Sequence, residues 1–137
     1  MNKKIITYSS RGGVIAALYI ALTFLSTALG ISFGPLQFRF SEALCILPAF
    51  FPEAVPALAI GCFISNLASP YGMADIVFGT SATLLAALVT YIARNIKIKN
   101  IPFLSLLSPV LFNAVIVGAE IALLSNSVAL FPIAALE

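Results

Sequence analysis

Apolar positions in this chain come in long unbroken runs, with neither the one-sided stripe of a soluble helix nor the alternation of a half-buried strand. Charged side chains divide it into stretches at 12–38, 43–52, 54–74, 76–93, 100–119 and 121–136. About 20 apolar residues are needed to carry a helix across a hydrocarbon core of ~30 Å, and four of these runs approach or pass that length. The pattern predicts helices over 12–31, 41–52, 54–68, 74–94 and 101–124, with a sixth starting near 128 and cut short at Glu137. Turn chemistry supports the divisions. Gly34-Pro35 is expected to close the first helix, and Ser69-Pro70-Tyr71-Gly72 reads as a loop. Asn100 and Pro102 suit an N-cap and a first-turn proline. Ser41 reads as an N-cap with Glu42 at the positive helix end, Asp75 as the N-cap of the fourth helix, and Asn66 as a cap at the end of the third.

The second and third segments are short, about 18 and 22 Å as helices. Pro48, Pro52 and Pro56 favour bending and a sharp turn near Pro52-Glu53. Two thin tilted spans and one re-entrant hairpin both fit. In either case the chain leaves on the side where it entered.

Composition removes whole classes of protein. Of 137 residues, 61% are hydrophobic and 9% charged, and the mean hydropathy is +1.12. Soluble domains carry about 25% charged residues, so 7 basic and 5 acidic side chains cannot give this chain a polar skin. Soluble enzymes, nucleic-acid-binding modules and disordered tails are excluded. The expectation is an all-α integral membrane protein forming a single transmembrane domain over 1–137. A secretory signal is a poor account of the first 30 residues, because the apolar run continues past Ser26-Thr27-Ala28.

The few charges then acquire meaning by position. Lys3, Lys4 and Arg11 precede the first span, and Arg94, Lys97 and Lys99 lie between the fourth and fifth. Crossing parity puts both groups on one side, which the positive-inside rule makes cytoplasmic. The N-terminus is therefore expected in the cytoplasm of a multi-pass protein of the cell membrane, with loops 32–40, 69–74 and 125–127 outside. Glu53 falls in a cytoplasmic turn and reads as solvated. Arg39 is the basic residue that topology does not explain. It either pairs with Glu42 at i, i+3 or, with Glu42 and the flanking Phe38 and Phe40, rims a site for a planar ligand.

The fifth helix carries a second cluster. Asn113 and Glu120, seven residues apart, share one face, and a carboxylate inside a span normally faces a cavity or a partner. Pro109, one turn away, can kink the helix. Asn66, Tyr71 and Asp75 flank the other outer loop and are candidate ligand contacts as well as caps. Ala17 and Ala21 form a small-xxx-small pair on which another helix can pack closely.

Absences narrow the mechanism. There is no His and no Trp, and Cys45 and Cys62 form no metal-binding spacing, so no metal, no cofactor and no catalytic residue is expected. No GxxxxGK[ST] is present, so ATP is not hydrolysed here through a P-loop. The chain reads as a binder and not an enzyme.

Three stretches carry a family resemblance: Ile31-Ser32-Phe33-Gly34-Pro35-Leu36-Gln37-Phe38-Arg39-Phe40-Ser41-Glu42-Ala43-Leu44; Phe51-Pro52-Glu53-Ala54; and Asn66-Leu67-Ala68-Ser69-Pro70-Tyr71-Gly72-Met73-Ala74-Asp75-Ile76-Val77-Phe78-Gly79. With Pro109-Val110-Leu111-Phe112-Asn113-Ala114 and the stretch to Glu120, they resemble the QueT family, substrate-capturing (S) components of energy-coupling factor (ECF) transporters for queuosine precursors. The resemblance implies a six-helix S component, here truncated in the sixth helix, with a pocket opening outward. It implies a transmembrane coupling subunit and two ATP-binding subunits as partners, with Ala17 and Ala21 facing the coupling subunit. A 7-deazaguanine ligand would suit Arg39, Glu42, Asn66, Tyr71, Asp75, Asn113 and Glu120 as polar contacts, with Phe38 and Phe40 stacking. An S component for another small metabolite, or a membrane scaffold whose polar residues only pack helices, would share the same spans.

Overall fold

The computed structural model describes residues 2–32, 39–70, 72–96 and 103–124. These form four α-helices, α1 (Lys3–Ala28), α2 (Ala54–Asn66), α3 (Met73–Ala93) and α4 (Phe103–Leu124), with a 3-10 helix, Phe40–Ala49, between α1 and α2. No strand occurs among the described residues, as an all-α chain requires. The expected sixth helix from 128, the Asn100–Pro102 cap, Gln37, Phe38 and Tyr71 lie outside them.

α1 departs from the expected 12–31 at both ends. It begins at Lys3 because the Asn2 side chain accepts the Lys4 N–H at 3.3 Å. Lys3, Lys4 and Arg11 oppose membrane burial but are good helix formers. Its other end is set by Gly30, not by Gly34-Pro35. Gly30 sits at φ +75°, and its N–H reaches Thr27 O while Ile31 N–H reaches Ser26 O. This Schellman pairing satisfies the last carbonyls and needs a residue that tolerates the left-handed region.

The 41–52 segment is a ten-residue 3-10 helix over Phe40–Ala49, not an α-helix. Ser41 lies inside it, so the expected N-cap role falls to Arg39, which makes no side-chain capping bond. Pro48 has no N–H to give to the ladder. At ~2.0 Å per residue this helix is ~20 Å long, and the 13 residues of α2 measure about the same. α3 and α4 lie within two residues of their expected bounds.

Packing is reversed relative to a soluble bundle. The shared core of α1, the 3-10 helix, α2 and α3 is built from Ile15, Tyr19, Cys45, Ala54, Ala57, Leu58, Cys62 and Ala87. α3 buries Ala82, Thr83, Ala86, Thr90 and Ala93. Large apolar side chains such as Val14, Phe24, Phe63, Met73, Ile92 and Val110 point outward. Small residues between helices and large ones outside are what a lipid solvent favours, because hydrocarbon does not drive Leu or Phe inward. Both α1 and α3 are long and apolar enough to cross a membrane.

Candidate functional site

Several of the few polar residues in this apolar chain are buried together. Arg39, in the extended residue before the 3-10 helix, has a side chain 6% exposed, and Asp75, in the first turn of α3, is 0% exposed. Arg39 Nη2 lies 3.1 Å from Asp75 Oδ2 and 3.4 Å from Oδ1, Nη1 donates to Asn66 Oδ1 at 2.8 Å, and Nε reaches the Ser32 carbonyl at 3.5 Å. Asn66, the last residue of α2, completes the loop by donating Nδ2 to the backbone carbonyl of Asp75 at 2.9 Å. Burial opposes the guanidinium charge, but Asp75, and less strongly Tyr19, Cys62 and Glu42, outweigh it and hold the Arg39 pKa above its ordinary value.

The fit is close. A Cβ on Gly79 would stand 2.6 Å from Asn66 Nδ2, so the helix α3 must carry glycine one turn below Asp75 for the amide to lie against it. Cys62 Sγ accepts from Asn66 Nδ2 at 3.4 Å and from Thr83 Oγ1 at 3.3 Å. Arg39, Asn66 and Asp75 thus clasp the start of the 3-10 helix, the end of α2 and the start of α3.

This arrangement corrects four local expectations. Arg39 pairs with Asp75, 36 residues away, and not with Glu42 at i, i+3. Asp75 is not an N-cap: Gly72, at φ +63°, occupies that position, and the carboxylate is taken by Arg39. Asn66 does not cap α2, since its amide is spent on Arg39 and Asp75. Ser41 accepts from Thr23 Oγ1 at 2.8 Å, tying the 3-10 helix to α1.

Glu42 heads a second group. Tyr19 OH donates to Oε1 at 3.2 Å, Asn113 Nδ2 donates to Oε2 at 2.5 Å, and Cys45 Sγ lies 3.5 Å from Oε2. Glu42 and Asn113 therefore meet across 71 residues of sequence, linking the 3-10 helix to α4. Phe40 is about a third exposed, with its N–H on Ser26 Oγ at 3.0 Å. Sequence reasoning passed over Tyr19, Thr23 and Thr83. A Tyr at mid-run offered a signal, since a buried Tyr hydroxyl usually seeks a partner.

Glu120 differs from both groups. It is 1% exposed, and both of its carboxylate oxygens are buried without a hydrogen-bond partner among the described residues. It is near enough to Asp75 and Arg39 to interact with both charges.

The far end of α2 is differently built. Glu53 is not solvated: it is buried, with Oε1 3.5 Å from Arg11 Nη1 but outside hydrogen-bonding geometry. The Arg11 guanidinium also lies 5.4 Å from the centre of the Phe51 ring. A groove of about 320 Å³, lined by Ser10, Arg11, Val14, Ile15, Leu47 and Phe51, opens beside it. Its walls hold none of the candidate site residues. Ala17 and Ala21 are exposed on α1, and the described residues offer no cluster of metal-ligating side chains.

No solved structure matches the chain. A curated relative, the "Queuosine precursor transporter QueT" of Lactococcus lactis subsp. cremoris (strain MG1363), is 40% identical over 72 residues, covering 53% of this chain and 42% of that protein. The matched chain thus spans less than half the length of that relative. The model of the QueT transporter family matches residues 10–136. A transporter family and helices with apolar outer faces together locate the protein in a membrane. With nearly all of its length matched, the chain belongs to the QueT transporter family.

Proposed function

We propose that the chain is the substrate-capture (S) component of an ECF-type importer for queuosine precursors of the 7-deazaguanine type. It crosses the cell membrane several times with its N-terminus in the cytoplasm, and a coupling subunit with two ATP-binding subunits supplies the energy. The relative's name supports the substrate class. The single observation that carries the reading is the polar seam formed by the buried Arg39, Asn66, Asp75 and Glu120 with the half-buried Glu42 and Asn113, in a bundle that turns large apolar side chains outward. Ionisable and polar groups inside a membrane are costly and are characteristically found along substrate paths, which supports reading the seam as a ligand site. Phe40, with Phe38 and Tyr71, would stack on the heterocycle, a contact of ~1–3 kcal/mol per base. The exposure of Ala17 and Ala21 suits a helix of the coupling subunit packing closely on α1.

Co-expression of the protein with a coupling subunit and its ATPases, followed by mass spectrometry of co-purified small molecules, tests the reading. A deazapurine in a complex with those subunits is the expected outcome. A vitamin or another metabolite in its place would overturn the substrate class. Purification of the chain without such subunits, and with no ligand, would overturn the transport role.

A further inference from the structure

Three carboxylates lie in the seam, and their states differ. Asp75 is neutralised and bonded by Arg39. Glu42 accepts from Tyr19 on one oxygen and from Asn113 on the other. Both oxygens of Glu120, by contrast, are buried with no donor on either among the described residues. Burying a polar group without a partner is costly, and a charge far more so. Among the described acidic residues, Glu120 is the one with both oxygens in this state.

The residues around Glu120 indicate what its oxygens lack. Its charged neighbours are Asp75 and Arg39, and Arg39 is already committed to Asp75, Asn66 and Ser32. The missing complement is therefore a pair of donors. One planar carboxylate with both lone-pair edges open matches two parallel N–H groups on a ligand, in the bidentate fork that also makes Arg–carboxylate pairs specific.

We infer that Glu120 is the specificity anchor of the substrate site, accepting two adjacent N–H donors from one edge of a flat heterocycle. The inference rests on the proposed function, which supplies the ligand class. In a 7-deazaguanine base the ring N1–H and the exocyclic 2-amino group form such an edge. Arg39, Asn66 and Asp75 are then positioning residues: the clasp sets where α3 begins, and with it the electrostatic surroundings of Glu120.

A ligand that lacks the exocyclic amine leaves one oxygen of Glu120 orphaned, which should weaken binding by about 10- to 100-fold. The experiment measures equilibrium binding of 7-deazaguanine and 7-deazahypoxanthine to the purified full-length protein in lipid nanodiscs, for the wild type, Glu120→Gln and Glu53→Gln, the last at the far end of α2 beside Arg11. The expected result is a preference of the wild type for 7-deazaguanine of tenfold or more, lost in Glu120→Gln and retained in Glu53→Gln. Equal binding of the two bases by the wild type would overturn the inference without recourse to any variant. So would a preference that survives Glu120→Gln, or one abolished by Glu53→Gln alone. If the wild type binds neither base, the substrate reading itself falls, and this assignment with it. If it binds both without distinction, the substrate reading stands and only the role of Glu120 is refuted.

Discussion

Removing one side of the Arg39–Asp75 pair should destabilise the bundle far more than removing both. At 3.1 Å and an effective dielectric of about 20, the Coulomb attraction is about 5 kcal/mol, most of it offset by the desolvation of two buried ions. Asp75→Leu leaves the guanidinium buried beside Asn66 and the Ser32 carbonyl without its carboxylate, and Arg39→Met leaves an uncompensated carboxylate. Each should cost about 3–5 kcal/mol, whereas the double replacement costs well under their sum. The coupling expected from the cycle is thus about 2 kcal/mol or more. Cys45 and Cys62 are free and fully buried, so a thiol-reactive fluorescent maleimide reports unfolding during a thermal ramp. Single variants should label about 10 °C or more below the wild type, and the double variant between them and the wild type. Singles as stable as the wild type, or a double variant whose loss equals the sum, would refute the clasp.

Gly79→Ala places a methyl carbon 2.6 Å from Asn66 Nδ2, and the same ramp should show a loss of about 1–3 kcal/mol, whereas alanine at Gly13, where nothing lies within 4 Å, should be neutral or stabilising in its helix. Tyr19→Phe deletes the hydroxyl that donates to Glu42 and should cost about 1 kcal/mol; an unchanged midpoint would show that the 3.2 Å contact contributes nothing. Arg11→Gln should shift stability by less than about 1 kcal/mol, because Arg11 is 56% exposed and such pairs are weak; a larger loss would mean that the Glu53 end holds the fold.

Much of the helical framework was legible because unbroken apolar runs and loop residues bound α3 and α4 closely. What stayed hidden was pairing. Arg39 stood out as the charge that topology did not explain, but local spacing offered Glu42 as its partner, while the chain supplies Asp75 from 36 residues on. Asn113 and Glu120 fall on one face, yet nothing in the sequence tells that Asn113 meets Glu42 across 71 residues while Glu120 finds no hydrogen-bond donor among the described residues. Capping rules misjudged Ser41, Asn66 and Asp75 for one reason: tertiary hydrogen bonds outbid the local ones that those side chains make in isolation. The start of α1 was misplaced because charge forbids a membrane span but not a helix. The 3-10 winding of Phe40–Ala49 was invisible, since a stretch that is apolar throughout has no period from which its pitch can be read.

That winding has a mechanical consequence. Ten residues at ~2.0 Å per residue would shorten by about 5 Å if rewound at ~1.5 Å. One end of the segment is anchored through Arg39 to α2 and α3, while Glu42 sits in its first turn against α1 and α4. An α-winding would also drive the Pro48 ring against the Leu44 carbonyl, so the longer pitch is what lets ten residues cover the ~20 Å for which α2 needs thirteen.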